Sequence, residues 1–540
     1  MGKRRSATRL LAGVFGAAAL VALVAFSPRV LPYNMDEFVH YHALGCATAP
    51  LGQDLPSYRD GCGLYDLRLP LTRLWLPLRS YYYIGSFPAA VFFPLWLLID
   101  DPVAARVQGG LFFVAFILLA ARLLGVRPAL VLLASLVFPA FVLAFIVDQG
   151  PVALSALLLL VALLAMRRSL AAVQERSDLR HRLLGARGCA AVAGGAVFLG
   201  LWVKLIFGWW LPAIGLFALV ALAKARRRDE SFRGQARRLA PVLLAGGLAL
   251  FVPTALLLAS VDIDGRPYGS ALTRGRISAE PAQVEAGAAR LARYVTDASL
   301  LAPRNVALPS APLDVMPAFL SGLLLLAGLA RAHERRREIA GWALLGLVTF
   351  ALASTSAFTQ WPHHFAFPVL FLVLALAVSL QVGGRVVMGA AAALVLVLWV
   401  SLALRWPDAT FPRDSSAGKD ELLAFVRTRG LDREMLQVHS SWGTYYIAQL
   451  FGDPERMAVF VKGIPDDPRQ LREVSCLARE RGRPVLLISA RDWSRLQSPH
   501  VDEILGRPSR TWRFGEWWAI AYDTGDVQCG STDPAAGGVS

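Results

Sequence analysis

The chain has 540 residues, 56% of them hydrophobic, and a mean hydropathy of +0.49. Soluble domains seldom reach such values, so the composition excludes an ordinary soluble enzyme and indicates a polytopic membrane protein. The net charge of +16 would suit nucleic acid, but the arginines sit in short loops between apolar runs, which argues against that class.

In chain order, Lys3, Arg4 and Arg5 precede an apolar run that is read as a retained first crossing at 10–31. Further crossings are predicted near 103–122, 129–147, 151–167, 188–206, 208–223, 239–260, 314–331, 339–358, 365–382 and 386–404, about eleven transmembrane helices in all. The stretch 81–99 holds a tyrosine run, two prolines and Trp96. It is predicted to be an interfacial or re-entrant helix on the outer face, because a crossing there would turn every later arginine cluster outward. Those clusters (Arg167 to Arg187, Lys224 to Arg238, Arg331 to Arg337) then face the cytoplasm. The N-terminus is inside and the C-terminus outside, in a plasma (inner) membrane.

The extracytoplasmic parts follow from this topology: a first outer loop at 32–102, an outer loop at 261–313 and a tail at 405–540. The domains are therefore 1–404 in the membrane and 405–540 outside. The tail alternates strand-like and helical stretches, with strands near 435–439, 457–462, 484–489 and 517–522, which predicts a small α/β domain. Four cysteines fall outside the membrane, so disulfides are expected at Cys46–Cys62 and Cys476–Cys529, with Cys189 left in a helix.

The chemistry-bearing residues gather at the outer helix ends. Asp36 and Glu37 follow the first crossing, and carboxylates at a bilayer edge are costly to keep. Adjacent side chains point differently, so one serves as a catalytic base and the other caps, pairs or binds metal. His40 follows within a turn, as a donor to substrate or carboxylate. Asp148, in Asp148-Gln149-Gly150-Pro151, either caps the next helix or converges with Asp36 on the acceptor or on a divalent cation such as Mg or Mn. Lys204 either snorkels or clamps a phosphate. His363 and His364 are either neutral interface residues or phosphate contacts; two adjacent histidines are no zinc signature.

The order of these features resembles the GT-C superfamily of membrane glycosyltransferases, in the style of its protein-mannosyltransferase and aminoarabinose-transferase branch. The resemblance spans about residues 10–382. It rests on Asp36-Glu37 after the first helix, Arg106 opening the next span, and Asp148 before the fourth. Gly200-Leu201-Trp202-Val203-Lys204 and His363-His364-Phe365-Ala366-Phe367-Pro368 complete it. The first loop lacks the Lys-Pro or His-Pro-Pro of relatives, and Arg68, Arg73 or Arg79 stand as substitutes. The resemblance implies inverting transfer of a sugar from a polyprenyl-phosphate donor to a lipid, glycan or protein acceptor on the extracytoplasmic face. Asp36 would be the base, with Arg106, Lys204, His363 and His364 around the phosphate. The competing readings are a lipid or sugar transporter, which would place charges at mid-membrane, and a non-catalytic membrane scaffold.

Overall fold

The computed structural model describes residues 30–48, 66–68, 75–77, 79–81, 84–148, 150–174, 179–225, 232–262, 267, 280–301, 306–331, 333–356, 359, 362–411, 417–453, 455–461, 468–490, 499–523 and 529. The chain forms two compact units. The first takes in Met1–Leu31 and Tyr65–Pro412; the second takes in Pro32–Leu64 and Arg413–Ser540. This differs from a division at 404/405, because the segment holding Asp36 packs with the C-terminal part of the chain.

The first unit is an all-α bundle. Among the described residues, eight helices are long and apolar enough to cross a membrane, or nine with one bent pair. The Phe232–Ala259 helix leaves Leu244, Leu248, Phe251 and Leu256 more than half exposed, an apolar face that suits lipid. It crosses the Leu179–Val203 helix closely: a Cβ on Gly194 would stand 2.1 Å from the Gly246 carbonyl oxygen. The first predicted crossing, 10–31, lies outside the described residues apart from Val30 and Leu31.

Two features depart from a simple run of spans. The stretch 129–147 is a Pro128–Leu136 helix and a Pro139–Ile146 helix bent by 111°. Pro139 disfavours helical geometry at Phe138, whose φ is −115° and ψ 89°. The break frees the Leu136 carbonyl, which accepts a hydrogen bond from Trp399 Nε1 at 2.8 Å. Secondly, Ala366–Arg405 is one 40-residue helical run, about 60 Å if straight and twice the bilayer core. It turns back instead. Arg331, at the end of the Met316–Arg331 helix, donates to the Gly383 carbonyl at 2.9 Å, whereas Arg405 pairs with Asp314, just before that helix starts, at 2.7 Å. The reversal falls at Gly384 (φ 75°), a conformation that suits glycine. The predicted 365–382 and 386–404 spans are its two arms. The stretch 81–99 holds only a 12-residue helix, Phe87–Leu98, about 18 Å long and too short to cross.

The arginines mark one end of this bundle. Arg335 Nη2 donates to the Leu124 carbonyl at 2.6 Å and Arg167 to that of Leu123, both at the end of the Val103–Leu124 helix. The start of the Val152–Gln174 helix lies about 22 Å from Arg167, at the opposite end.

The second unit is built on a five-stranded sheet. Its order is Pro508–Phe514, Trp517–Tyr522, Val485–Ser489, Leu436–His439, Met457–Phe460, with the last three parallel. Leu422 and Val426 of the Ala417–Thr428 helix pack on Leu486, Ile488 and Ala519. The edge strand Pro508–Phe514 has no sequence-level signal, because its mostly exposed Arg510, Thr511 and Arg513 break the apolar pattern. Cys476 and Cys529 form a disulfide, with Cα atoms 5.6 Å apart. The Cys46–Cys62 pairing lies outside the described residues, because Cys62 is not among them.

His439 is wholly buried in this sheet, and burial pushes its imidazole from 6.5 down to about 3. The unfolded chain takes up a proton near the ordinary value while the folded unit does not. Stability is therefore full above pH 6.5 and is lost as pH falls toward 3, by up to about 1.4 kcal/mol per pH unit. Replacing His439 by Leu is expected to flatten that part of the pH–stability curve, measured by denaturant unfolding of the full chain in detergent between pH 7 and 4. An unchanged slope would show that His439 is solvated.

Candidate active site

In the first unit, four predicted site residues meet around one loop. The Leu179–Val203 helix ends at Lys204, which is extended (φ −157°, ψ 121°) and pairs through its backbone with Ile84. A 3-10 turn, Leu205–Trp210, then folds Phe207 back onto Gly200. This break turns the Lys204 side chain into the protein, where it is fully buried. Its Nζ donates to the Gly150 carbonyl at 2.5 Å and lies 3.1 Å from His363 Nε2. An ammonium has only donors, so Nε2 accepts and the His363 proton is assigned to Nδ1. His364 stands edge-on to His363, with ring centroids 4.3 Å apart, and edge-on to Trp209 at 5.6 Å.

The loop itself is specialised. Asp148 (φ 45°) and Gly150 (φ 56°) both adopt left-handed backbone. Asp148 Oδ1 accepts from the Ala153 N–H at 2.7 Å, capping the Val152–Gln174 helix. One of the two readings of this residue, the helix cap, is thus observed. Gly150 has no room for a side chain: a Cβ there would stand 2.7 Å from Lys204 Nζ and 2.8 Å from His363 Nε2. Arg106 is fully buried one turn before Gly109 on the Val103–Leu124 helix. A Cβ on Gly109 would meet the Ile146 carbonyl oxygen at 1.7 Å and the Asp148 nitrogen at 3.3 Å, so this helix lies directly against the Asp148 loop. Two buried cations, one buried carboxylate and two histidines thus share one end of the bundle, the end opposite the arginines.

Asp36, Glu37 and His40 belong to the second unit. They sit in and after the 3-10 turn Met35–Glu37. Glu37 is the structural member of the pair. Its Oε1 accepts from the Asn34 backbone N–H at 3.1 Å and from Asn34 Nδ2 at 3.2 Å, while Asn34 Oδ1 accepts from the Asp36 N–H at 2.8 Å. This closed capping box assigns the Glu37 carboxylate to the turn. Asp36 is 5% exposed and His40 is fully buried. The segment is clamped from the Ala417–Thr428 helix: Tyr33 N–H donates to Asp420 Oδ2 at 3.1 Å, and Lys419 donates to the Tyr33 carbonyl.

Among the described residues, no three His, Cys, Asp or Glu side chains gather as a metal-binding set. In the first unit the donors do not suit a divalent cation. His363 Nε2 faces an ammonium, and one Asp148 oxygen holds a helix cap. The residues that sequence reasoning missed are Gly150, whose carbonyl anchors Lys204, and Trp209, which walls His364. Gly150 was visible only as part of a turn before Pro151.

Gly150→Ala is expected to push Lys204 Nζ out of its seat and to strain a left-handed position, at a cost of about 1–3 kcal/mol in stability. Amine-reactive labelling followed by mass spectrometry should find Lys204 at least tenfold faster to react than in the unmodified protein. Unchanged labelling and stability would mean that the loop absorbs the methyl group without moving the lysine.

No protein-family model matches the chain, and no curated protein matches it by sequence. Among solved structures, the crystal structure of ArnT from Cupriavidus metallidurans bound to undecaprenyl phosphate is similar, at 13% identity and a TM-score of 0.52. The similarity covers 95% of this chain and 98% of that one. The crystal structure of the Archaeoglobus fulgidus oligosaccharyltransferase in the apo form is also similar, at 12% identity and a TM-score of 0.43, over 89% of this chain and 69% of that one. The fold is similar to that of the ArnT structure, an α-helical polytopic membrane domain with a small C-terminal α/β unit.

Proposed function

We propose that the protein is an integral-membrane glycosyltransferase that moves a sugar from a polyprenyl-phosphate donor to an acceptor on the extracytoplasmic face. The observation that carries this reading is the buried Lys204–Gly150–His363 cluster at the bundle end away from the arginines. The fold supports it, and so does a structural neighbour that holds undecaprenyl phosphate. By the positive-inside rule the arginine end is cytoplasmic, so the cluster faces outward.

The reaction asks little of an acid. A lipid phosphate is already a good leaving group and needs cations where charge builds on its oxygens. Lys204 and Arg106 supply them from buried positions, where a charge interaction is weakened less by water. His363, its Nδ1 protonated, and His364 add neutral donors. The acceptor hydroxyl or amine needs a base, worth about 10²–10⁴-fold, and Asp36 takes that proton. The acceptor atom forms its bond to the anomeric carbon as the bond to the phosphate oxygen breaks. The polyprenyl phosphate leaves, and a single in-line displacement inverts the anomeric centre. Asp148 orients the loop through its cap. A divalent cation at Asp36 is left as a separate proposal, tested by chelation.

Transfer from radiolabelled polyprenyl-phosphate sugars, in membranes carrying each variant, tests the assignments. Asp36→Asn should cut transfer by at least about 10²-fold with lipid-donor binding intact. Lys204→Ala should weaken donor binding, and Asp148→Asn should act modestly. Glu37→Ala should cost about 1 kcal/mol of stability through the capping box and leave chemistry largely in place. Full activity in Asp36→Asn removes it as the base. Orientation is checked by reporter fusions after Arg187, expected cytoplasmic, and after Asp408, expected outside.

A further inference from the structure

The second unit contains a buried polar layer that the reaction does not use. Gln437 and His439 are two residues apart on the Leu436–His439 strand and so point to one face. Above that face lies the Trp442–Phe451 helix, with Tyr445 and Gln449 one turn apart. The Tyr445 ring is 6.1 Å from that of His439. Gln449 Nε2 donates at 2.8 Å to the carbonyl of Ala458, the residue paired with Gln437 across the sheet. All four side chains are buried. Yet among the described residues neither polar atom of Gln437, neither ring nitrogen of His439 and not Gln449 Oε1 has a hydrogen-bond partner.

Five unpaired polar atoms under one ten-residue helix are an anomaly. Buried polar groups are normally satisfied, and each one left unsatisfied offsets part of the apolar burial that docks the helix. The outer side of the same helix carries the Asp36 segment. Phe38 packs edge-on to Phe451 at 5.9 Å. His42 lies 4.7 Å from the Tyr446 ring and 5.4 Å from that of Tyr445. Gly45 rests on the Gln449 backbone, where a Cβ would come within 2.9 Å of the carbonyl oxygen. Beyond Tyr33, which the Ala417–Thr428 helix clamps, the Asp36 segment therefore follows this helix.

The geometry points to the Trp442–Phe451 helix as a positioning element for Asp36, held on a deliberately weak seat so that helix and segment shift together. Elements that must move during function come from the low-stability end of a structure, and a polar layer kept at a cost in stability is one way to put this helix there. Gln437, His439 and Gln449 are positioning residues and touch no substrate. The inference that this motion serves catalysis rests on Asp36 being the base; the inference that the mount moves does not.

The test makes the seat apolar without changing its size much. Gln437→Met and His439→Leu, singly and together in the full chain in lipid nanodiscs, remove unpaired polar atoms and no hydrogen bond. The double variant should melt several degrees higher. Amide exchange across residues 442–451 and 35–48 should slow at least tenfold, with other helices unchanged. A lower melting temperature, or unchanged exchange in both the double variant and Gln437→Met alone, overturns the movable mount. Sugar transfer is read on the same samples: kcat should fall several-fold with KM for the lipid donor unchanged. Slowed exchange with undiminished transfer would retain the mount and remove its link to Asp36 chemistry.

Discussion

The first unit is organised around one buried ammonium. Lys204 Nζ has no exposed surface, and a charge withdrawn from water is tolerated only with partners in place. Its partners are the Gly150 carbonyl and His363 Nε2, so three distant parts of the chain have to end at one point. Local irregularities follow from that demand. The Leu179–Val203 helix stops at Lys204, Gly150 takes a left-handed backbone that keeps its Cα face bare, and Asp148 spends an oxygen on the next helix to hold the loop. A phosphate entering here would meet cations whose desolvation has already been met by folding, which is the condition for electrostatic stabilisation without reorganisation.

The same rule of satisfied polar groups explains how the bundle tolerates its breaks. In an apolar surround every freed carbonyl needs a donor. The Leu136 carbonyl, opened by the bend at Phe138, takes Trp399 Nε1. The terminal carbonyls of the Val103–Leu124 helix take Arg167 and Arg335, and Gly383, at the reversal, takes Arg331. The arginines gathered at this end of the bundle therefore also close helix ends. Their role there is structural, and replacing one by lysine would lose the planar fork more than the charge.

The elements most legible in the sequence were those governed by length and apolar content: the spans, the short 81–99 helix and the parallel strands of the second unit. Helix ends carrying Lys204, Asp148 and His363 were legible as polar residues at apolar boundaries. What escaped depends on contacts between distant segments. The bend at Phe138-Pro139 looked like one span because 129–147 is apolar throughout, and periodicity carries no record of a 111° turn. The strand at Pro508–Phe514 was missed because only Trp512 and Phe514 pack on the core, among exposed polar residues. The grouping of 32–64 with the tail was invisible because it rests on Tyr33 meeting Lys419 and Asp420 across nearly four hundred residues.

The paired carboxylates of the first loop show how a structure separates residues that a sequence leaves equivalent. Asp36 and Glu37 are adjacent, both acidic and both buried, and neither spacing nor burial distinguishes them. Hydrogen bonding does. Glu37 has the longer reach and bends back to the Asn34 N–H and side chain; Asn34 in turn takes the Asp36 N–H. An alanine at position 37 would lose this closure, and the turn its third-position acceptor. The box thus assigns Glu37 to holding the backbone and fixes the direction in which the Asp36 carboxylate leaves it. A base needs the backbone that carries it held in place, and here Asn34 and Glu37 hold it from either side.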